Sequence, residues 1–256
     1  MDTTALFLSA ALAVFTGAQD GDFQPDPEAP VAAGQVDQAP AGDAEPAAGP
    51  DRLSDADYDA MRADAVARQT ARAQAWFDQL DTLRADFVQF APDGARTTGV
   101  LSLDRPGRAR FDYDDPSPIL LVADGSTVAI ADFELETLDR VPLGSTPLAP
   151  LLDADETLAE TGAVADAGRA DGRLYLTLID PDGETDGRLT LIFDDPDPDR
   201  PAAAMTLAGW YAVDALGGLT EVRLSDVETG VDFDPRRFIL DEDDVFAPDR
   251  RRGRRR

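Results

Sequence analysis

Apolar residues recur every three or four positions in the first strongly patterned part of the chain, residues 53–83. This spacing is typical of an amphipathic helix. Ser54, followed three residues later by Asp57, indicates the helix start, since the two side chains can form a capping box. The sequence therefore predicts one helix over residues 53–83, with these side chains on its buried face: Met61, Ala65, Ala73, Trp76, Phe77, Leu80 and Leu83.

From residue 84 onward the apolar period changes to two, and turn sequences rich in Pro, Gly and Asp separate the runs. Because most runs have no helix between them, they predict an antiparallel meander. We expect a short helix at 147–152 and a loop at 160–171. The fold class is α+β, mainly β: a large curved antiparallel sheet with one N-terminal helix and a small helical insert. The predicted strands cover residues 85–91, 99–104, 108–113, 119–123, 127–131, 136–141, 174–179, 188–193, 205–214 and 219–227.

The two ends of the chain differ from the folded body, which we place at residues 53–247. Residues 1–18 hold an apolar stretch too short for a membrane span of ~20 residues, and small residues precede position 19. They predict a signal peptide for export, although the usual positive charge at the start is missing and a wrongly chosen start codon is the alternative. Residues 19–52 predict a disordered linker rich in Ala, Pro, Gly and Asp. Residues 248–256 predict a disordered Arg-rich tail, which either touches anionic headgroups or only aids solubility.

The composition excludes several kinds of chemistry. The 51 acidic and 23 basic residues give a net charge of −28, which disfavours nucleic-acid binding. The chain has no His and no Cys, so Ser-His-Asp and Cys-His catalysis and imidazole or thiolate metal sites are excluded. Residues 180–184 lack the spacing of a calcium loop, and residues 194–199 are typical of a solvated loop. We expect a binding protein with no catalytic residues, metal or cofactor.

A set of short motifs within residues 80–152 is the most specific signal in the chain. In order they are ADFVQ at 85–89, GVLSL at 99–103, RPG at 105–107, RFDY at 110–113, VADG at 122–125, DFELE at 132–136 and STPL at 145–148. Trp210 with Asp214, and Thr220 with Leu224, extend the match. Together these motifs resemble the periplasmic outer-membrane lipoprotein carrier protein, the LolA family, over residues 76–246.

The resemblance implies an incomplete β-barrel covered by the N-terminal helix and a small helical lid. It also implies a monomeric periplasmic carrier that binds the acyl chains of lipoproteins in an apolar cavity. An inner-membrane ABC transporter would release the lipoprotein, and an outer-membrane acceptor or the outer membrane itself would receive it. An envelope-stress sensor or interaction protein on the same fold is the alternative, since fold alone does not decide function.

Strand alternation and this resemblance together give a candidate cavity wall; the alternative is that the same side chains fill a solid core. The wall residues are Phe87, Leu101, Leu103, Phe111, Tyr113, Leu121, Ile130, Leu176, Leu178, Leu191, Phe193 and Trp210.

The resemblance also implies that Arg105 is a latch that hydrogen-bonds backbone carbonyls of the lid. A guanidinium suits this role because it has five donors and stays charged when partly desolvated. The alternative is a turn arginine paired with Asp104. The lid would comprise residues 147–152, with Pro147 in its first turn and Leu148, Leu151 and Leu152 facing the cavity; a capping helix that never moves is the alternative.

Overall fold

The computed structural model describes residues 54–146, 149–152, 158–159, 162–180, 187–240 and 245–246. The predicted signal peptide, linker and Arg-rich tail lie outside these residues, as do Pro147 and Leu148. Within the described part of the chain, no helix is both long enough and apolar enough to cross a membrane.

Helix α1 spans Asp55–Phe77. The predicted capping box is confirmed: Ser54 Oγ accepts from the Asp57 N–H at 3.2 Å, and the Asp57 carboxylate accepts from the Ser54 N–H at 2.9 Å. The helix ends earlier than predicted. The prediction ran too far because the buried Leu80, which follows the helix, continues the helical spacing of apolar residues without being helical.

The buried face of α1 is confined to its second half, where it comprises Thr70, Ala73, Trp76 and Phe77. The prediction for Met61 is wrong, since its side chain is 57% exposed. All residues from 54 to 64 are exposed, so the first turns of the helix cover no part of the core.

In the described residues, eleven antiparallel strands form one sheet. The first six follow α1 along the chain, and the short helix α2 (Ala149–Leu152) separates them from the remaining five. The strands are β1 (Thr82–Phe90), β2 (Arg96–Asp104), β3 (Arg108–Tyr113), β4 (Ile119–Asp124), β5 (Thr127–Asp132), β6 (Thr137–Pro142), β7 (Val164–Ala170), β8 (Arg173–Ile179), β9 (Arg188–Asp194), β10 (Thr206–Val213) and β11 (Leu219–Thr229).

The sheet consists of two meanders joined at a single seam. The strand order is β6-β5-β4-β3-β2-β1-β11-β10-β9-β8-β7, so β1 pairs with β11 and the edges are β6 and β7. The sheet does not close into a barrel, as the mainly β prediction with an incomplete barrel anticipated.

Strand β7 was missed by the sequence analysis, which expected a loop over 160–171. Its sequence is VADAGRA, and Ala167 is its one buried residue. Ala, Gly and Asp have low strand propensity, and an edge strand needs little alternation. Its conformation comes from pairing with β8, which local sequence does not reveal.

The sheet is strongly bent around its inner face. Strands β3 and β10 are four strand positions apart, or about 19 Å along the sheet. Yet the rings of Phe111 on β3 and Trp210 on β10 meet edge to face with their centroids 6.2 Å apart. The inner faces of the two meanders therefore share one apolar interior.

The C-terminal segment covers the outer face of the first meander. A 3₁₀ helix, Pro235–Phe238, contacts β3 and β4. Leu240 and Val245 are buried in a second apolar cluster with residues of β4 and β5: Leu120, Val122, Ala129 and Ala131. The sheet is thus covered by helices on its inner face and by irregular chain on part of its outer face.

A buried ion-pair cluster fixes α1 to the second meander. Asp195, only 2% exposed, accepts two hydrogen bonds of 2.7 Å from Arg72 of α1, and it also pairs with Arg169 of β7. The prediction that residues 194–199 form a solvated loop is therefore wrong for Asp195, because folding brings two arginines from distant parts of the chain to it.

Candidate functional site

The predicted wall residues lie together on the inner face of the sheet. Eleven of the twelve are at most 8% exposed, and Ile130 is half-buried against them. They come from eight strands, and residues two apart on one strand share the face, as for Leu101 and Leu103 of β2. The structure therefore brings the twelve together as parts of one apolar cluster.

Aromatic rings make up the centre of this interior. Phe87 meets Phe111 at 5.7 Å and Tyr113 at 5.1 Å between ring centroids, both edge to face. The Tyr113 hydroxyl donates to the Gln89 carboxamide oxygen at 2.9 Å. Burial raises the pKa of Tyr113 well above its ordinary value, so the hydroxyl stays neutral and acts as a hydrogen-bond donor inside an apolar region.

Trp210 is the largest fully buried side chain of the interior. Its indole Nε1 is buried and has no hydrogen-bond partner among the described residues. By contrast, Nε1 of Trp76 donates to the Met205 carbonyl oxygen at 3.1 Å. A buried donor without a partner is uncommon in folded proteins. The centre of the interior therefore holds one donor that the described protein groups leave unused.

Helix α2 closes one side of the interior. Leu151 is 1% exposed and Leu152 is fully buried, and both belong to the same apolar cluster as the wall. The Gly107 N–H donates to the Leu152 carbonyl oxygen at 3.0 Å. This bond joins the turn between β2 and β3 to the end of α2, so the predicted lid contacts the predicted latch turn through its backbone.

Arg105 lies in the same turn. Its Nη1 donates to the carbonyl oxygens of Phe77 at 2.6 Å and Leu80 at 3.4 Å. Its guanidinium lies 5.2 Å from the centre of the Phe77 ring. The alternative partner Asp104 instead forms an ion pair with Arg108 at 2.9 Å. The described hydrogen bonds of Arg105 therefore connect the turn to the end of α1, at the rim of the interior.

Sequence reasoning missed two contributors to this region. Gly107, with φ +77°, supplies the N–H that binds α2, and a Cβ there would stand 2.6 Å from Gly125 Cα. Gln89, the second-to-last residue of β1, is a buried amide. The RPG motif pointed to the first, whereas a polar residue between Val88 and Phe90 gave no signal of its orientation. No group of three or more acidic side chains suited to a metal ion occurs in the described ranges.

A groove lies apart from this interior, between α1 and β7. Its volume is about 680 Å³, and none of the twelve predicted wall residues lines it. The wall residues belong to one buried apolar cluster, and the groove is a separate space beside it.

Comparison with known proteins gives a consistent result. The family model described as outer membrane lipoprotein carrier protein LolA matches residues 78–241. An outer-membrane lipoprotein carrier protein of Methylococcus capsulatus is 30% identical over 177 residues, covering 66% of this chain and 81% of that protein. One of Legionella pneumophila (strain Corby) is 28% identical over 164 residues, covering 61% and 77%.

Solved structures with a similar chain trace include a LolA superfamily protein from Nitrosomonas europaea. It has 14% identity and a TM-score of 0.40, and the match covers 69% of this chain and 98% of that one. The complex of MucA and MucB from Pseudomonas aeruginosa matches with 14% identity and a TM-score of 0.39, over 69% of this chain and 61% of that one.

Proposed function

Because the chain belongs to the outer membrane lipoprotein carrier protein LolA family, we propose that it binds the acyl chains of lipoproteins in its apolar interior and carries them from the inner to the outer membrane. It works in the periplasm as a monomer, as a carrier rather than an enzyme. An inner-membrane ABC transporter loads it, and an outer-membrane acceptor or the outer membrane itself unloads it. Residues 1–18 direct export, and residues 19–52 tether the folded domain, residues 53–247.

The single observation that carries this proposal is the shared interior of the two meanders, closed on one side by α2. Each buried methylene contributes about 0.8 kcal/mol, so a long acyl chain gains on the order of 10 kcal/mol on leaving water. Such a chain does not escape through water at a useful rate. A soluble carrier therefore needs an interior that opens for hydrocarbon and closes again.

For cargo to enter, α2 moves away from the apolar interior that it covers. In the described chain α2 is four residues long and is held by the Gly107–Leu152 hydrogen bond and by the burial of Leu151 and Leu152. The side chains behind α2 then separate to admit the chain, and the unused Trp210 Nε1 donor faces the cargo.

Photocrosslinking tests where the acyl chains lie. In one variant p-benzoylphenylalanine replaces Tyr113, whose side chain is inside; in its matched control it replaces Tyr211, which is on the outer face of β10 next to Trp210. Each protein is mixed with a synthetic diacylated lipopeptide, irradiated and examined by mass spectrometry, and native mass spectrometry reports total binding.

We expect crosslinks to the diacylated peptide from position 113 and none from position 211, and none from either position with the unacylated peptide. Equal crosslinking from both positions would contradict the proposal, as would absence of any lipid-linked mass under gentle conditions. A stable complex with a protein partner and no acylated ligand would favour the sensor alternative instead.

A further inference from the structure

The groove between α1 and β7 follows the helix for nearly its whole length. Ten of its fourteen lining residues come from the α1 segment between Asp59 and Asp78, at the spacings of three and four that mark one helix face. At 1.5 Å per residue this stretch is about 28 Å long. Its volume of about 680 Å³ lies within the usual range for ligand pockets. The groove is therefore long and thin rather than round.

Small apolar side chains make up most of the groove. Eight of the fourteen lining residues are Ala or Val, among them Ala63, Val66, Ala67 and Ala71 on the helix and Val164 on β7. Large apolar side chains are missing from the described lining, so the wall is smooth. A smooth apolar channel suits an unbranched hydrocarbon chain better than a compact ring. One acyl chain spans half of a bilayer core of about 30 Å, or about 15 Å. The groove, at about 28 Å, is longer than one such chain.

Thr70 supplies a polar group to the lining. Thr70 is only 5% exposed, and its Oγ1 has no hydrogen-bond partner among the described residues. In a helix a threonine side chain has two accessible χ1 rotamers, so a ligand with a carbonyl oxygen can recruit this hydroxyl. The ester and amide carbonyls of an acylated lipoprotein are acceptors of that kind.

The charges around the groove select against anions. Three carboxylates line it, those of Asp59, Asp78 and Asp166, against one guanidinium, that of Arg62. Arg62 is itself paired with Asp166 at 3.3 Å. The lining carries a net charge of −2, in a chain of −28. A fatty acid carboxylate or a phospholipid phosphate is repelled here, whereas an ester- or amide-linked acyl chain is not.

The geometry points to a second acyl subsite: the α1–β7 groove holds one uncharged acyl chain of the lipoprotein cargo, outside the interior and against Thr70. This inference rests on the proposed function and deepens it. A lipoprotein carries several acyl chains, and the groove lets one of them lie along the outside of α1 while the interior holds the rest. The repulsive lining gives the carrier a preference for lipoprotein over free fatty acid.

The test fills the groove and leaves the interior intact. Ala67→Trp places an indole in the groove; Ala60→Trp places the same side chain at an exposed position of α1 that does not line it. Thr70→Val removes the hydroxyl and keeps the shape. Affinity for the diacylated lipopeptide, for palmitate and for vesicles of phosphatidylglycerol is measured, and circular dichroism checks the fold.

We expect Ala67→Trp to weaken lipopeptide binding roughly tenfold, which corresponds to loss of burial for about two methylene groups. Ala60→Trp should bind as the wild type does, and Thr70→Val should weaken binding by a smaller factor. Palmitate should bind more weakly than the lipopeptide, by a factor that shrinks with added salt.

Two results separate this inference from the proposed function. If Ala67→Trp binds as tightly as Ala60→Trp while position 113 still crosslinks, the groove is not an acyl subsite and the carrier proposal stands. If Ala67→Trp leaves affinity unchanged but exposes residues 1–53 to protease, the groove belongs to the chain's own N-terminal segment and the inference is overturned. If the lipopeptide binds nowhere, both proposals fail together.

Discussion

Arg105 and Phe77 are joined twice: the arginine Nη1 donates a 2.6 Å hydrogen bond to the Phe77 carbonyl oxygen, and the guanidinium faces the ring of the same residue at 5.2 Å. Phe77 is the last residue of α1. The final carbonyls of a helix lack partners within it and carry the negative end of its dipole. A cation from the turn after β2 therefore fixes the end of α1 against the sheet.

Loss of this arginine should destabilise the fold. Arg105→Leu removes a partly buried charged donor from two carbonyls, and we expect the free energy of unfolding to fall by about 2 kcal/mol. Arg105→Lys should recover only part of it, because an ammonium lacks the planar fork. Urea denaturation measures the change. Arg96→Leu, at an exposed position of β2, is the control and should change little; equal effects of the two leucine variants would contradict the role of Arg105.

The Asp195 cluster should contribute more to the free energy of unfolding than its Asp- and Pro-rich sequence context indicates. Asp195→Asn removes the charge that Arg72 and Arg169 share, and we expect a loss of about 2 kcal/mol at neutral pH, since the aspartate is buried and the arginines are partly exposed. The neighbouring Asp194→Asn breaks an exposed pair with Arg173 and should cost far less. Similar losses in both variants would mean that burial of Asp195 adds nothing.

The same cluster gives a pH dependence with a definite sign. The hydrogen bond from Arg72, helped by that from Arg169, holds the pKa of Asp195 below its ordinary value. Its contribution to stability is therefore present above the unfolded-state pKa of about 3.9 and is lost as the pH falls through the lower pKa of the folded state. The stability gap between wild type and Asp195→Asn should stay constant from about pH 5 to 8 and shrink below about pH 4. A gap that grows on acidification would refute this assignment.

Gly209 should tolerate no side chain. It has φ +145° at the irregularity in the pairing of β9 with β10, and a Cβ there would stand 2.0 Å from the Val222 carbonyl oxygen. Gly209→Ala should cost about 3 kcal/mol or more, measured by thermal unfolding. Gly168→Ala on β7 is the control, because no heavy atom lies within 4 Å of its added Cβ; it should be neutral or slightly stabilising.

The C-terminal segment should contribute measurably through Arg237. Its Nη2 pairs with Asp112 at 2.9 Å and its Nε donates to Ser102 Oγ at 3.1 Å. Both charged side chains are about one-third exposed, so we expect Arg237→Ala to cost only about 1 kcal/mol. Arg236→Ala, at the exposed neighbour, should cost nothing measurable in the same urea titration. Loss of stability in Arg236→Ala alone would reverse this interpretation.

Sequence alternation pointed to the buried face of each strand, although it did not test the role of these residues as a cavity wall. Leu176 and Leu178, or Leu191 and Phe193, occupy every second position of a strand, and because one face must be buried, the pattern fixes which side each residue takes. Their convergence in one interior followed from the family resemblance, since strand order and bending are properties of the whole sheet.

The features that were missed depend on contacts between distant segments. Asp195 stands in a run of Asp and Pro that is typical of solvent, and only folding brings Arg72 and Arg169 to it. Strand β7 lacks apolar alternation because it is an edge. The end of α1 is set by Asp78 and the turn before β1, whereas Leu80 and Leu83 continue the helical spacing by coincidence.

The single seam between β1 and β11 has a topological consequence. Since β6 and β7 are the two edges of the sheet, the described part of the connection between them, which carries α2, belongs to no strand. That connection could be cut, and the original ends rejoined, without removing one pairing of the sheet. Displacement of α2 would therefore break none of the described strand pairings, so the opening proposed above needs no partial unfolding of the sheet.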